Sequence, residues 1–416
     1  MSVRRIGRAG RDLGAVVAGA GAFLGAFWGG YLTLIGIAAD RAQGRVRARG
    51  LPRGPSTFFR VVVPAHDEER LLGATLGALA ALDYPADRFE VHLIADNCDD
   101  RTAAIGREHA VHVHERHDLE LVGKGAALAW LIDRLPPAEE PAAIVVIDAD
   151  TRVHPALLAE FDAGFASSGV AAQQGYYTVK DAAEGGDVGF RAVALAVRHF
   201  VRPAGRTALG GSSSLYGNAM AFRESVARSH PWSNGLTEDL EMGMRLLLDG
   251  HTVGFAPGAV VEAVMPTSLD DSVSQNERWE AGRVEVARNF VPELVRAAWS
   301  GRHGRRWAYV DAAIDITLPP LTTVFAGTAV AGVASLELAR GRFRSVAVVA
   351  AVSGVGLQAL HVVHACRLAD VSPEVRRSLA RTPVHMLWKS RILARVVRGR
   401  PSSWVRTSRS ETQAAA

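Results

Sequence analysis

Between Asp12 and Asp40 the chain runs LGAVVAGAGAFLGAFWGGYLTLIGIAA without a single charge. About 20 apolar residues suffice to cross a bilayer, so this run predicts a membrane-spanning helix over 14–39, behind a basic segment over 1–13. The run is longer than the apolar core of a signal peptide, which predicts an uncleaved anchor. Two more uncharged runs, Ile316 to Leu336 and Ser345 to Cys366, predict spans over 316–338 and 345–366. Residues 291–315 would then lie along the membrane surface, and 367–416 would form a basic cytoplasmic tail with an interfacial helix.

From 55 to 290 the pattern is different. FFRVVVPAHDEE is a β-branched run that breaks at Pro64 into polar residues, as a buried strand entering a loop does. LLGATLGALAAL is apolar at helical spacing and stops before Asp83, Tyr84 and Pro85. FEVHLIADNCDDRT repeats the plan, with a strand to Ala95, an acidic loop and a helix opening near Thr102. AAIVVIDADTRV is a third strand, ending at Asp148 and Asp150. Strands alternating with helices predict an α/β fold with a mostly parallel sheet. Ligands of such sheets bind beyond the carboxyl ends of the strands, so Asp67, Asp96, Asp148 and Asp150 are expected on one rim.

Composition narrows the class further. The net charge is only +4, and of 47 basic residues only Lys124, Lys180 and Lys389 are lysines. No arginine run is interleaved with aromatics, which argues against a nucleic-acid partner. Cys98 and Cys366 are far apart and form neither a disulfide framework nor a metal pattern. Positive charge flanks the first span on both sides, with Arg4, Arg5, Arg8 and Arg11 before it and Arg41, Arg45, Arg47, Arg49 and Arg53 after it. The positive-inside rule leans toward a cytoplasmic central domain, against which stand the three arginines of the short loop ARGRFR between the last two spans.

Several short motifs carry candidate chemistry. DAD at 148–150 can converge two carboxylates on a hard divalent ion that bridges diphosphate oxygens, although an ordinary acidic turn has the same sequence. In GKGAAL, the glycines let backbone approach a ligand and Lys124 is a mobile cation suited to phosphate. NGLTEDLEMGMRLLLDG places Glu238 and Asp239 in the first turn of a helix capped by Thr237; capping alone accounts for them, and so does a general base at Asp239. In SQNERWEAGR, a helix puts Gln275, Arg278 and Trp279 at i, i+3 and i+4, on one face.

In this order, acidic loop, GKG, DAD, GN, TED and QNERW between apolar spans, the chain resembles the membrane-embedded branch of glycosyltransferase family 2, to which the cellulose, chitin and hyaluronan synthases and ceramide glucosyltransferase belong. The resemblance covers about Phe59 to Arg288, and the ending WVRTSR (Trp404 to Arg409) is similar to endings of such enzymes. It implies a GT-A-like (Rossmann-like) domain with transmembrane helices in the cell membrane and the catalytic domain on the cytoplasmic side. It also implies a nucleotide-sugar donor, most simply a uridine diphosphate sugar, and a divalent metal, Mg²⁺ or Mn²⁺. Carried over by motif, Asp67, Asp96, Lys124, Asp148 and Arg278 would bind the donor, and Asp148 and Asp150 the metal. Asp239 would be the catalytic base, and Trp279, Gln275, Gly217, Asn218 and Glu238 would face the acceptor.

The implied reaction is an inverting displacement onto a glycan or lipid-linked acceptor. It is either processive polysaccharide synthesis, with an export partner or homo-oligomer completing a channel, or a single addition to a lipid. PAHDEE and ADNCDD depart from the family's usual loops, and SLYGNAM stands where cellulose synthases carry Phe-Phe-Cys-Gly-Ser. A non-catalytic nucleotide-sugar-binding scaffold and a metal-dependent nucleotidyl or phosphoryl transferase are the rivals. The intact Asp239 argues against the first, and Trp279 has no role in the second.

Overall fold

A computed structural model of the chain describes residues 2–49, 54–139, 141–264, 269 and 272–399. The expected ending WVRTSR lies outside them. Eight strands form one sheet: β1 (Phe58–Ala65), β2 (Phe89–Asp96), β3 (His112–Arg116), β4 (Ala142–Val146), β5 (Thr151–Val153), β6 (Ala172–Val179), β7 (Met220–Arg223) and β8 (Val253–Ala263). Their order is β3-β2-β1-β4-β7-β6-β8-β5. The first four run parallel. β7 runs antiparallel to both β4 and β6, β8 is parallel to β6, and β5 closes the edge antiparallel to β8.

The α/β reading with a mostly parallel sheet holds. The three strands read from sequence are β1, β2 and β4, which lie side by side at its centre. Both of their faces are buried, and this produces the continuous apolar runs. Val61, Val63, Val145 and Ile147 face Leu72, Leu76 and Phe161, whereas Val62, Ile144 and Val146 face Leu128, Leu131 and Phe222. Of the others, β3, β5 and β7 are short, β6 is half-polar and β8 is interrupted by Gly254, Pro257 and Gly258, so their patterns are weak.

Among the described residues, three helices are long and apolar enough to cross a membrane, within Gly10–Gln43, Leu321–Leu338 and Gly341–Leu368. The first belongs to one helix, Ser2–Arg49, with no break at 13 or 39. At 1.5 Å per residue it is about 70 Å long, more than twice the ~30 Å hydrocarbon thickness. The second begins at Leu321, because Pro319 and Pro320 separate it from the helix Arg306–Thr317. In GAFWG, Gly25 and Gly29 let helix backbones approach closely, as small-xxx-small pairs do. A Cβ on Gly25 would lie 2.2 Å from Thr328 Oγ1, and one on Gly29 would lie 3.0 Å from the Gly354 carbonyl oxygen.

Arg11 donates to the Glu337 carbonyl at one end of this bundle, and Gln43 donates to the Leu368 carbonyl at the other. The N-terminal segment and the Arg340–Arg344 turn therefore share the end far from the sheet. The near end is locked to the sheet domain by a buried polar network. Arg206, 1% exposed, donates to Asp311 (2.7 Å) and Asp315 (2.8 Å), while Tyr31 donates to Asp311 (2.9 Å).

The helix containing QNERW runs from Val273 to Ser300, straight through the expected boundary at 290, with Pro292 inside it. It pairs with Arg306–Thr317 over Val286, Leu294, Tyr309 and Ala312. The tail helix Thr382–Val397 lies across it. There Lys389 reaches Glu280 (2.9 Å) and the Asn276 side chain (2.7 Å), and Arg395 reaches Glu277 (2.7 Å).

Candidate active site

The loops after β1, β2 and β4 meet on one rim. Asp67 and Asn97 both adopt a left-handed backbone, φ 52° each, which Asp and Asn tolerate better than other non-glycine residues. The first two loops are laced together. Asp99 N donates to Asp67 (2.9 Å), Glu69 N to Asp100 (3.0 Å) and Glu68 N to the Thr102 hydroxyl (2.8 Å). Asp67, Cys98 and Asp100 bring ligand atoms within 4.8 Å of one another, an acidic corner that the sequence reading did not anticipate. Burial pushes the Cys98 thiol up to about 11, so it is not a thiolate at neutral pH.

Asp96 differs from expectation. It is buried, and Arg116 donates to its carboxylate at 2.6 Å. Arg116 also donates to Asp118 (3.0 Å), and Asn97 and Asp118 exchange two hydrogen bonds (3.0 and 2.8 Å). Asp96 thus anchors the wall of the rim through Arg116, a partner that no motif signalled.

Lys124 opens the helix Lys124–Arg134, and its ammonium meets both the Asp148 carboxylate and the Gly217 carbonyl. Burial works against its charge, but Asp148 and Glu238 outweigh that and hold its pKa above the ordinary lysine value. Gly217, with φ 81°, lies where a Cβ would be 3.4 Å from the Asp239 carboxylate. Only glycine gives both the backbone angle and the close approach. Lys124, Asp148, Gly217 and Asp239, from four separate segments, thereby converge.

Asn218 is displaced from its expected role. It is fully buried and its amide is engaged internally, accepting from Asp148 N (3.2 Å) and Ala219 N (2.8 Å) and donating to Thr151 (2.8 Å). It therefore orients the DAD strand end from within and presents nothing to an acceptor. Asp150 is half-buried at the same strand end. Two carboxylates there offer the hard oxygen donors a divalent ion takes, and the ammonium on Asp148 shows that this position already favours a cation.

Glu238 and Asp239 begin the helix Glu238–Leu248, with Thr237 at the N-cap. Among the described residues Thr237 makes no capping bond, and its buried hydroxyl has no partner there. Its side chain instead packs on Gly282, where a Cβ would lie 2.5 Å from Thr237 Cγ2. That contact seats the QNERW helix on the TED turn. Burial and the neighbouring Asp239 raise Glu238 to about 7, and burial raises Asp239 as well. Raised carboxylates penalise the charged fold as pH climbs past the unfolded value. Glu238→Gln is therefore expected to raise the melting temperature at pH 8 and to change it little at pH 4.5. Equal shifts at both values would show that the repulsion is absent.

On the QNERW helix, Trp279 is half-buried against the sheet core. Arg278 contributes to the field at Glu238, and its buried Nε has no hydrogen-bond partner among the described residues. Gln275 is half-buried and without a hydrogen bond there. The next turn is occupied by structure: Arg283 binds Glu280 (2.8 Å) and the Ile316 and Leu318 carbonyls (3.1 Å each).

A mixed sheet with an acidic, lysine-bearing rim at the carboxyl ends of its strands is the GT-A fold of nucleotide-sugar-dependent glycosyltransferases. A mannosyltransferase from Pyrobaculum calidifontis, solved with GDP-mannose and Mn²⁺, shares the fold at a TM-score of 0.51 and 17% identity, over 85% of this chain and 100% of its own. Residues 55–282 match the family described as glycosyltransferase like family 2, and the chain belongs to that family.

Among curated proteins, a beta-monoglucosyldiacylglycerol synthase from Trichormus variabilis is 29% identical over 269 residues, 61% of this chain and 55% of that protein. A probable glycosyltransferase from Bacillus subtilis is 26% identical over 247 residues, 57% of each chain. The chain therefore spans little more than half the length of the curated relatives it matches.

Proposed function

We propose that this protein is a membrane-embedded, inverting glycosyltransferase that moves one sugar from a nucleotide sugar, most simply a uridine diphosphate sugar, to a lipid acceptor. The convergence of Lys124, Asp148, Gly217 and Asp239 carries this reading, because it sets a candidate base beside a lysine and a carboxylate suited to a metal-bound diphosphate. Asp67 and the Asp96–Arg116 wall flank the nucleotide base, while Lys124 and Arg278 take up charge on the diphosphate. Asp148 and Asp150 would hold a divalent ion, Mg²⁺ or Mn²⁺, which supplies Lewis-acid stabilisation of the leaving group when bound.

Asp239 removes the proton from the acceptor hydroxyl. The freed oxygen forms a bond to the anomeric carbon as the bond from that carbon to the diphosphate breaks, and a single displacement inverts the centre. Glu238, Gln275 and Trp279 border the acceptor, with Trp279 as its apolar plate. The lipid-glycosylating names of the relatives favour a single addition over the processive synthesis of the polysaccharide-synthase branch.

With the three apolar helices in the bilayer, the sheet domain takes the cytoplasmic side. The far end carries seven arginines, at 4, 5, 8, 11, 340, 342 and 344. Among the described residues the near end has eleven close to the spans, at 41, 45, 47, 49, 302, 305, 306, 367, 376, 377 and 381. The short arginine loop is outweighed, in keeping with the positive-inside rule.

The test is release of nucleoside diphosphate by the detergent-purified chain with Mn²⁺ or Mg²⁺ and a lipid extract, across a panel of nucleotide sugars. Mass spectrometry of the product reads the acceptor. One donor and a lipid heavier by one hexose are expected. A ladder of many sugars would replace the single-addition reading with a processive one, and nucleotide binding without turnover on any acceptor would sink the enzyme assignment.

A further inference from the structure

Arg198 lies on a six-residue π-helical turn, Ala196–Val201. Such turns are rare and concentrate at functional sites. The turn is pinned to the rim, since Tyr216, next to Gly217, donates to the Arg198 carbonyl at 2.9 Å and stacks on His199 with ring centres 4.0 Å apart. Its other face, through Val197, Phe200 and Val201, packs on Ala39, Ala365 and Leu368 at the domain-facing ends of two apolar helices. Arg198 thus stands between the candidate base and the bundle, where a membrane-borne molecule would enter.

Its guanidinium has no hydrogen bond or ion pair among the described residues. The carboxylate with the largest effect on it is Glu280, but both Glu280 oxygens are already taken. Lys389 binds Oε1 at 2.9 Å and Arg283 binds Oε2 at 2.8 Å. Asp239 also feels Arg198, but Lys124 acts on it more strongly. This wall therefore holds more cations than anions, and the half-buried Arg198 guanidinium is open to an incoming anion. On the donor side, by contrast, Lys124 is already matched by Asp148.

We propose that Arg198 binds a phosphate on the acceptor, so that the lipid glycosylated here carries a phosphate group beside the hydroxyl that reacts. This rests on the lipid-acceptor reading above and narrows it to anionic phospholipids with hydroxylated headgroups, away from neutral diacylglycerols. Arg198 binds the phosphate and so sets the hydroxyl against Asp239.

The experiment titrates the full chain in detergent with dihexanoyl-phosphatidylglycerol and, separately, with dihexanoylglycerol, without donor, following tryptophan fluorescence. Wild type should bind the phosphate-bearing lipid about 10- to 100-fold more tightly, the range of a charge-assisted hydrogen bond. Arg198→Ala should erase that preference with its melting temperature unchanged, and Arg198→Lys should keep part of it. Equal affinities in wild type would overturn the proposal. So would an Arg198→Ala loss of the same size for both lipids, a preference that survives in Arg198→Ala, or inorganic phosphate that binds as tightly as the lipid.

A second arm adds the donor. Arg198→Ala should raise KM for the phospholipid by a similar factor while donor KM stays within about threefold; a change in donor KM instead would assign Arg198 to the diphosphate and overturn the proposal. Selective binding lost in Arg198→Ala, with no transfer by wild type from any donor, would uphold Arg198 as a phosphate ligand and discard the transferase reading.

Discussion

Asp239→Asn is expected to lower kcat by about 10²- to 10⁴-fold, the usual contribution of a general base, while donor affinity and melting temperature stay close to wild type. The amide preserves shape and still accepts the Leu240 N–H bond, 2.8 Å in the native helix, but it cannot take the acceptor proton. The pH profile tests the same group independently. Burial raises Asp239, and burial with the adjacent Asp239 brings Glu238 to about 7. Only the ionised base is active, so wild-type kcat/KM should rise with pH above the ordinary aspartate range and level off past about 7. The two steps belong to the pair jointly, because neighbouring carboxylates titrate together. In Glu238→Gln the repulsion is gone, so the acid limb should move to lower pH. An unchanged rate in Asp239→Asn, or an acid limb at the free aspartate value, would move the base elsewhere.

The second large effect is on stability. Asp311→Ala leaves Arg206, 1% exposed, without the carboxylate that binds its Nε at 2.7 Å, and it frees the Tyr31 hydroxyl. Breaking a buried ion pair from one side costs about 3–5 kcal/mol, a large share of the 5–15 kcal/mol that holds a typical fold. The damage should spread. Arg206 and Asp315 also hold Ser214 (2.9 and 3.1 Å), three residues before Gly217, so donor binding should weaken along with the melting temperature. Asp311→Asn keeps the shape and one acceptor and should lose less. A melting temperature for Asp311→Ala within a degree of wild type would show that the network does not join bundle to sheet.

The two predictions also divide what could be read along the chain from what could not. β1, β2 and β4 were legible because strands buried on both faces are mostly apolar, with Arg60 and His92 as buried exceptions. The three apolar helices were legible because lipid and close helix packing tolerate few charges over 20 residues. The motif order named Asp148, Gly217, Asp239 and Arg278, and the structure brings the first three together around Lys124. Conversely, β3, β5 and β7 are short, β6 is half-polar, and β8 is interrupted by glycine and proline and pairs with strands far away in sequence. The boundary drawn at 290 failed because the QNERW helix gains its support from Arg306–Thr317 and the tail helix, neither of them local.

By itself the sequence determined the α/β class, the apolar segments and the residue types of the rim, since burial and ligand chemistry restrict which side chains a position accepts. The tertiary structure alone decided which of those side chains are exposed to a ligand. It turned Asn218 and Asp96 inward, gave Asp96 and Glu280 their distant partners Arg116 and Lys389, and left Arg198 without one. Those outcomes depend on distances between segments tens to hundreds of residues apart, and periodicity along a chain carries no information about such distances.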